Sequence, residues 1–228
     1  MPTAPLYHVN AFTSPRARGN PAGVVLLEHE PDEEWYAATA ADLNLPATAF
    51  LRPLETGYAI RWFTPTRELP VCGHATLAAA RVLFSQTSAG SLELRSTTGS
   101  LAAERVSDAR VGLRFPLTPT TVSAAACARV GPLAASALGC ALGAVLAVAE
   151  FDRGAGNAGV VVELDGAFDL AAAVLDLSLF KRRDTHMAVV TQATGGGGGV
   201  LEVTSRVFVP FVGVDEDPVV RTLRATPQ

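Results

Sequence analysis

One stretch of this chain is written twice. Gly19-Asn20-Pro21-Ala22-Gly23-Val24-Val25-Leu26-Leu27 returns as Gly156-Asn157-Ala158-Gly159-Val160-Val161-Val162-Glu163-Leu164. Arg61-Trp62-Phe63-Thr64-Pro65 returns as Arg206-Val207-Phe208-Val209-Pro210. The pairs come in the same order and at similar spacing in each half. Repeats of this kind fix architecture before any other feature. The segments between them agree in type. Residues 32–43, with acidic residues first, read as an amphipathic helix, and residues 168–175 read as a second short helix. Apolar strands at 48–51 and 187–191 follow, and each leads to an Arg-x-Phe-x-Pro strand end. The expectation is two similar halves, with an internal duplication behind them.

The boundary is expected near Phe115-Pro116-Leu117-Thr118-Pro119-Thr120-Thr121, whose prolines suit an extended connector. This gives an N-terminal lobe over 1–116 and a C-terminal lobe over 122–228. Before the connector, 91–95, 100–106 and 110–115 read as short strands. The run Gly195–Gly199 is expected to be a turn between strands 187–191 and 200–205. It lacks the Lys-Ser/Thr ending of a phosphate loop.

Composition narrows the function classes. Of 228 residues, 49% are apolar and 18% charged, which favours a packed core over disorder. The net charge is −4 with no basic stripe, so no nucleic-acid partner is expected. Cys72, Cys127 and Cys140 make an odd set, against a disulfide framework and for a reducing compartment. No leader pattern opens the chain, and the long apolar stretch 130–150 is mostly Ala and Gly, unlike a membrane span. A cytoplasmic protein without a membrane partner is the expectation.

Chemistry concentrates in residues 61–84. Pro65 and Pro70 break the strand and force a loop. A helix is expected from Ala75, apolar nearly all round and therefore buried. Cys72-Gly73-His74 then stand at its mouth, where unpaired N–H groups and the helix dipole favour an anion. Gly73 lets a ligand approach the backbone. His74 can exchange a proton near neutral pH, and a thiol at a helix N-terminus can be activated. Cys72 also reads as a small buried hydrophobe, and His74 as a capping residue. His8, His29 and His186 are scattered and read as structural or surface residues. No metal-ligand spacing and no Gly-x-Ser-x-Gly elbow occurs.

Taken together, these residues resemble the PhzF-like (phenazine biosynthesis-like) family, whose fold is similar to diaminopimelate epimerase. The resemblance rests on Val9-Asn10-Ala11-Phe12 with Gly19-Asn20-Pro21-Ala22-Gly23, on residues 43–50, on Phe63-Thr64-Pro65 with Cys72-Gly73-His74-Ala75-Thr76, and on Phe208-Val209-Pro210 with Gly213 and Glu216-Asp217-Pro218. It implies an α/β (α+β) fold of two pseudo-symmetric lobes, each a curved mixed sheet around a central helix, with the site in the cleft between them. It also implies a homodimer and an isomerase that moves a proton on the carbon of a small carboxylate substrate, with no metal or cofactor. His74 and Asp217 become the candidate proton carriers. Asn20, Gly73, Ala75, Thr76 and Thr222 become candidate substrate contacts.

Three departures from the family pattern stand out. Ala47 occupies the place of the family's principal carboxylate, in Asn44-Leu45-Pro46-Ala47-Thr48 where the family reads Asn-Leu-Ser-Glu-Thr. The loop after Asp217 reads Pro218-Val219-Val220-Arg221-Thr222 where the family has Pro-Val-Thr-Gly-Ser. The tail to Gln228 differs from the helix and strands that the family carries there, so an incomplete second lobe is expected. Glu68 is the nearest acidic residue that could replace the lost base, and its proline-flanked loop suggests a solvated or capping role instead. The reading is an isomerase-type protein with impaired catalysis. Its rivals are a non-catalytic binding or scaffold protein, and a Cys72-based racemase, which would need a second thiol that the Asp217 loop lacks.

Overall fold

A computed structural model describes residues 4–13, 19–108, 110–115, 118–152, 158–176, 187–195, 201–209, 214–217 and 223–225. The chain divides into two compact units, Met1–Leu117 and Thr118–Gln228. Each carries one mixed sheet.

In the first unit β1 (Leu6–Ala11) and β2 (Asn20–Leu26) form an antiparallel pair. Helix α1 (Glu33–Leu43) then crosses over to β3 (Thr48–Pro53), which lies parallel to β2. β4 (Tyr58–Phe63) returns antiparallel to β3, and the two-residue β5 (Glu68–Leu69) pairs with β4. After helix α2 (Gly73–Gln86), β6 (Ser91–Ser96) joins β4 in parallel. β7 (Gly99–Ser107) and β8 (Arg110–Arg114) complete the sheet as a meander.

This sheet is covered on both faces, which is why β2 is nearly continuously apolar. Ala22, Val24, Ala49, Leu51, Ile60 and Trp62 face α2 in one buried cluster. Val25, Leu27, Phe50 and Phe63 face α1 with Tyr36 and Ala40 in another. Helix α2 buries Ala75, Ala78, Ala79, Ala80, Val82, Leu83 and Phe84, as expected for a helix apolar nearly all round. It begins two residues earlier than expected, because Cys72 takes an extended conformation and acts as the N-cap. Its far end is closed by Arg105, whose guanidinium donates to the carbonyls of Phe84 (2.7 Å) and Thr87 (2.6 Å) that the helix leaves unpaired. Helix α1 starts where Asp32 Oδ1 accepts from the Trp35 N–H, with Glu33 and Glu34 in the first turn, and stops at Asn44 in the left-handed region.

The second unit repeats the strand pattern. β9 (Thr121–Val122) precedes α3 (Ala124–Leu138), which Ser123 caps at one end and Gly139 at the other. β10 (Val145–Asp152) and β11 (Ala158–Leu164) are antiparallel, β12 (Met187–Gly195) is parallel to β11, and β13 (Leu201–Val209) is antiparallel to β12. β14 (Val214–Asp217) and β15 (Leu223–Ala225) pair with β13. Gly23 of β2 faces Thr48 in one parallel pair, and Gly159 of β11 faces Met187 in the other. α3 packs with Val148, Val160, Val162, Leu164, Ala188, Val190 and Phe208.

The expected helix over 168–175 does not form; the segment is a turn at residues 170–172 with irregular backbone on either side. Its backbone groups are taken by side chains instead. The Leu170 N–H donates to Gln192 Oε1 (3.0 Å), and Gln192 Nε2 donates to the carbonyls of Phe168 (2.7 Å) and Gly166 (3.3 Å). Arg206 donates to the carbonyls of Leu170 and Ala173. A helix this short gains little from its own hydrogen bonds, so these buried partners win. The expected turn at Gly195–Gly199 and His186 lie mainly or wholly outside the described residues.

Candidate active site

The loop that delivers α2 is tied down at several points. The Thr64 N–H donates to the Arg67 carbonyl (2.8 Å), and Thr64 Oγ1 accepts from the N–H groups of Thr66 and Arg67. β5 then runs beside Trp62 and Phe63, and Thr98 Oγ1 donates to the Pro70 carbonyl (2.8 Å). The chain therefore enters α2 from a fixed direction.

At the mouth of α2, Cys72 and His74 are buried and Gly73 is exposed. Cys72 Sγ lies 3.4 Å from His74 Nδ1. Either a thiol donates to the imidazole or an imidazolium donates to a thiolate, so this contact can hold one mobile proton. Thr76 is fully buried. Its hydroxyl donates to the Cys72 carbonyl (2.6 Å), as does its backbone N–H (3.0 Å). Ala75 is fully buried too. Cys72 makes no side-chain capping bond to the first turn. With Gly73 exposed and lacking a side chain, the backbone there can be approached by an anion.

Asn20 is buried at the start of β2, the strand whose Ala22 and Val24 pack on α2. Asp217 ends β14, opposite Val207 on β13. The side chain of Asp217 and the whole of Thr222 lie outside the described residues. Ala47, at the position of the expected carboxylate, is 0% exposed and belongs to the same apolar cluster as Cys72 and Ala75.

Glu68 is held by Arg61. The guanidinium donates through Nε and Nη2 to both carboxylate oxygens at 2.8 Å, and through Nη1 and Nη2 to Glu33 at 2.6 and 2.7 Å. Hydrogen bonds from Arg61 hold the Glu33 carboxyl below its ordinary range, and the two carboxylates hold Arg61 more firmly protonated. Beside them, burial and then the hydrogen bond to Glu30 push the Tyr36 phenol up. Phe115 was not singled out from the sequence. Its ring lies 3.9 Å from where a Gly73 side chain would begin. Nothing local in the sequence marks it, since the approach is made by the tail of the β8 meander. Among the described residues, no three His, Cys, Asp or Glu side chains gather as metal ligands, and no helix is long and apolar enough to cross a membrane.

The profile of the family described as "Phenazine biosynthesis-like protein" matches residues 9–222. The chain belongs to this family. An uncharacterised isomerase of Halalkalibacterium halodurans is 32% identical over 222 residues, covering 96% of this chain and 78% of its own. The mouse phenazine biosynthesis-like domain-containing protein 2 is 33% identical over 240 residues, covering 94% and 78%. Among solved structures, a PhzF-family protein of Enterococcus faecalis superposes with a TM-score of 0.72 at 31% identity, over 95% of this chain and 77% of that one. A predicted epimerase of Pseudomonas aeruginosa shares the fold at 18% identity, with a TM-score of 0.61. Relatives in this family include proteins named as isomerases, and mixed sheets with few helices, one in each unit, match the family's fold.

Proposed function

We propose that this PhzF-like protein binds a small carboxylic acid at the mouth of α2, and that its cofactor-free proton transfer on carbon is impaired. The substrate carboxylate would approach Gly73, beside Ala75 and Thr76 of the first turn, with Asn20 and Thr222 as further contacts. His74 and Asp217 would carry the proton: one takes it as a C–H bond breaks, the other returns one to carbon. A carbon acid needs a positioned base and a stabilised anion. Ala47 supplies no base, and losing one general acid/base costs on the order of 10² to 10⁴ in rate. The observation that carries this reading is the complete burial of Ala47 in an apolar cluster with Cys72 and Ala75. A binding protein that has lost the chemistry is favoured by the same observation. Duplication of one ancestral unit, a homodimer and a cytoplasmic location belong to the same proposal; light scattering tests the dimer.

The test is titration of 15N-labelled protein with small unsaturated and amino carboxylic acids. The reading expects saturable shifts at Gly73, His74 and Ala75 with at least one acid, and none with the corresponding amides. Shifts confined to distant surface residues would overturn it.

A further inference from the structure

The two arginines of the repeated motif do the same thing in each unit. Arg61 lies over the ring of Phe63, two residues on, at 5.1 Å, and Arg206 over that of Phe208 at 5.6 Å. Each forms a two-pronged ion pair with a glutamate on the next short strand, Arg61 with Glu68 of β5 and Arg206 with Glu216 of β14 (2.6 Å twice). Each also reaches the segment that crosses between the two parallel strands, Arg61 through Glu33 of α1 and Arg206 through the carbonyls of Leu170 and Ala173. Both side chains are mostly covered, at 18% and 14% exposure, where such pairs are held better than at the open surface.

What the clasped strands lead to gives the arrangement its meaning. β5 has two residues and little ladder of its own; after Pro70 and Val71 it becomes Cys72-Gly73-His74. β14 pairs irregularly with β13 and ends on Asp217. We propose that Arg61 and Arg206 are positioning residues, each clasping the short strand that carries or leads to the candidate residues of its own unit. This rests on the proposed function for the identity of the site, but its test needs no turnover and no ligand.

The experiment is residue-resolved amide hydrogen exchange on the full chain, paired with the rate of Cys72 alkylation by iodoacetamide. In Arg61→Gln and in Glu68→Gln, the Thr76 amide, bonded to the Cys72 carbonyl, should exchange at least about tenfold faster, while mid-helix amides such as Ala80 keep their wild-type rates. Cys72 alkylation should rise in both. The two variants change local charge in opposite directions, so a mere field effect would move the rate in opposite directions. Arg61→Lys should resemble Arg61→Gln, because an ammonium cannot reproduce the double fork. Arg206→Gln and Glu216→Gln should loosen the amides of β14 and leave Thr76 unchanged. Uniform acceleration along α2, or wild-type rates at both Thr76 and Cys72, overturns the proposal. If no carboxylic acid binds the wild type, the functional reading fails while these results stand.

Discussion

Cys72 Sγ and His74 Nδ1 sit 3.4 Å apart across the first turn of α2, both residues more than nine-tenths buried. A thiol and an imidazole at that distance can pass one proton between them, with the imidazole as its acceptor.

His74→Ala should therefore slow iodoacetamide alkylation of Cys72 at pH 7 relative to Cys127 of the same molecule, by about tenfold. Peptide mass spectrometry after timed quenching reads both sites at once. An unchanged ratio would mean that the imidazole does not take the thiol proton.

Acid should weaken the first unit through its arginine network. The carboxyls of Glu30, chiefly through its bond from the Tyr36 hydroxyl, and of Glu33, chiefly through Arg61, are held below their ordinary 4.5. A group depressed in the folded state contributes its full stabilisation above the unfolded value and loses it as pH falls through the folded value. The urea midpoint should thus fall as pH drops below about 4.5, and the fall should be shallower in Arg61→Gln. Parallel acid profiles for the two proteins would exclude this linkage.

Gly57→Ala should destabilise the chain by about 2 kcal/mol or more. Gly57 has φ +75°, and an added Cβ would come within 2.5 Å of the Glu93 carbonyl oxygen, which is backbone and cannot step aside. Denaturant unfolding of the variant against Gly90→Ala, where nothing lies within 4 Å, separates strain from a general loss of glycine.

Gln192→Leu should cost about 2 kcal/mol, because three backbone groups of the 166–170 turn each lose a hydrogen bond in a buried site. Thermal unfolding checks the loss.

Much of this architecture was legible because it depends on pattern. The doubled GN and Arg-x-Phe-x-Pro motifs marked strands that occupy matching places in two sheets, β2 with β11 and β4 with β13. The apolar surface of residues 75–84, broken only at Arg81, marked a buried helix. Where reading failed, distant partners decided. Residues 168–175 carry helical composition, yet Gln192 and Arg206, far along the chain, claim the backbone groups a helix would need. The proline-flanked loop suggested a solvated or capping role for Glu68, and only the register of β5 on β4 shows that Arg61 holds it. The Arg-x-Phe pairing was itself a signal of the clasp, since a guanidinium repeated two residues before an aromatic ring has a stacking partner built in.

Deuterium incorporation tests the central claim most directly. Native protein is incubated in D2O with small unsaturated and amino carboxylic acids, and carbon-bound deuterium is read by mass spectrometry and NMR. If, as proposed, Ala47 leaves the site without its base, no incorporation above the protein-free rate is expected from the wild type, nor from Ala47→Glu alone, because Val220-Arg221-Thr222 does not supply the Thr-Gly-Ser loop that the resemblance implies. Wild-type incorporation that Glu68→Gln abolishes would contradict the account and locate the proton transfer on a relocated base.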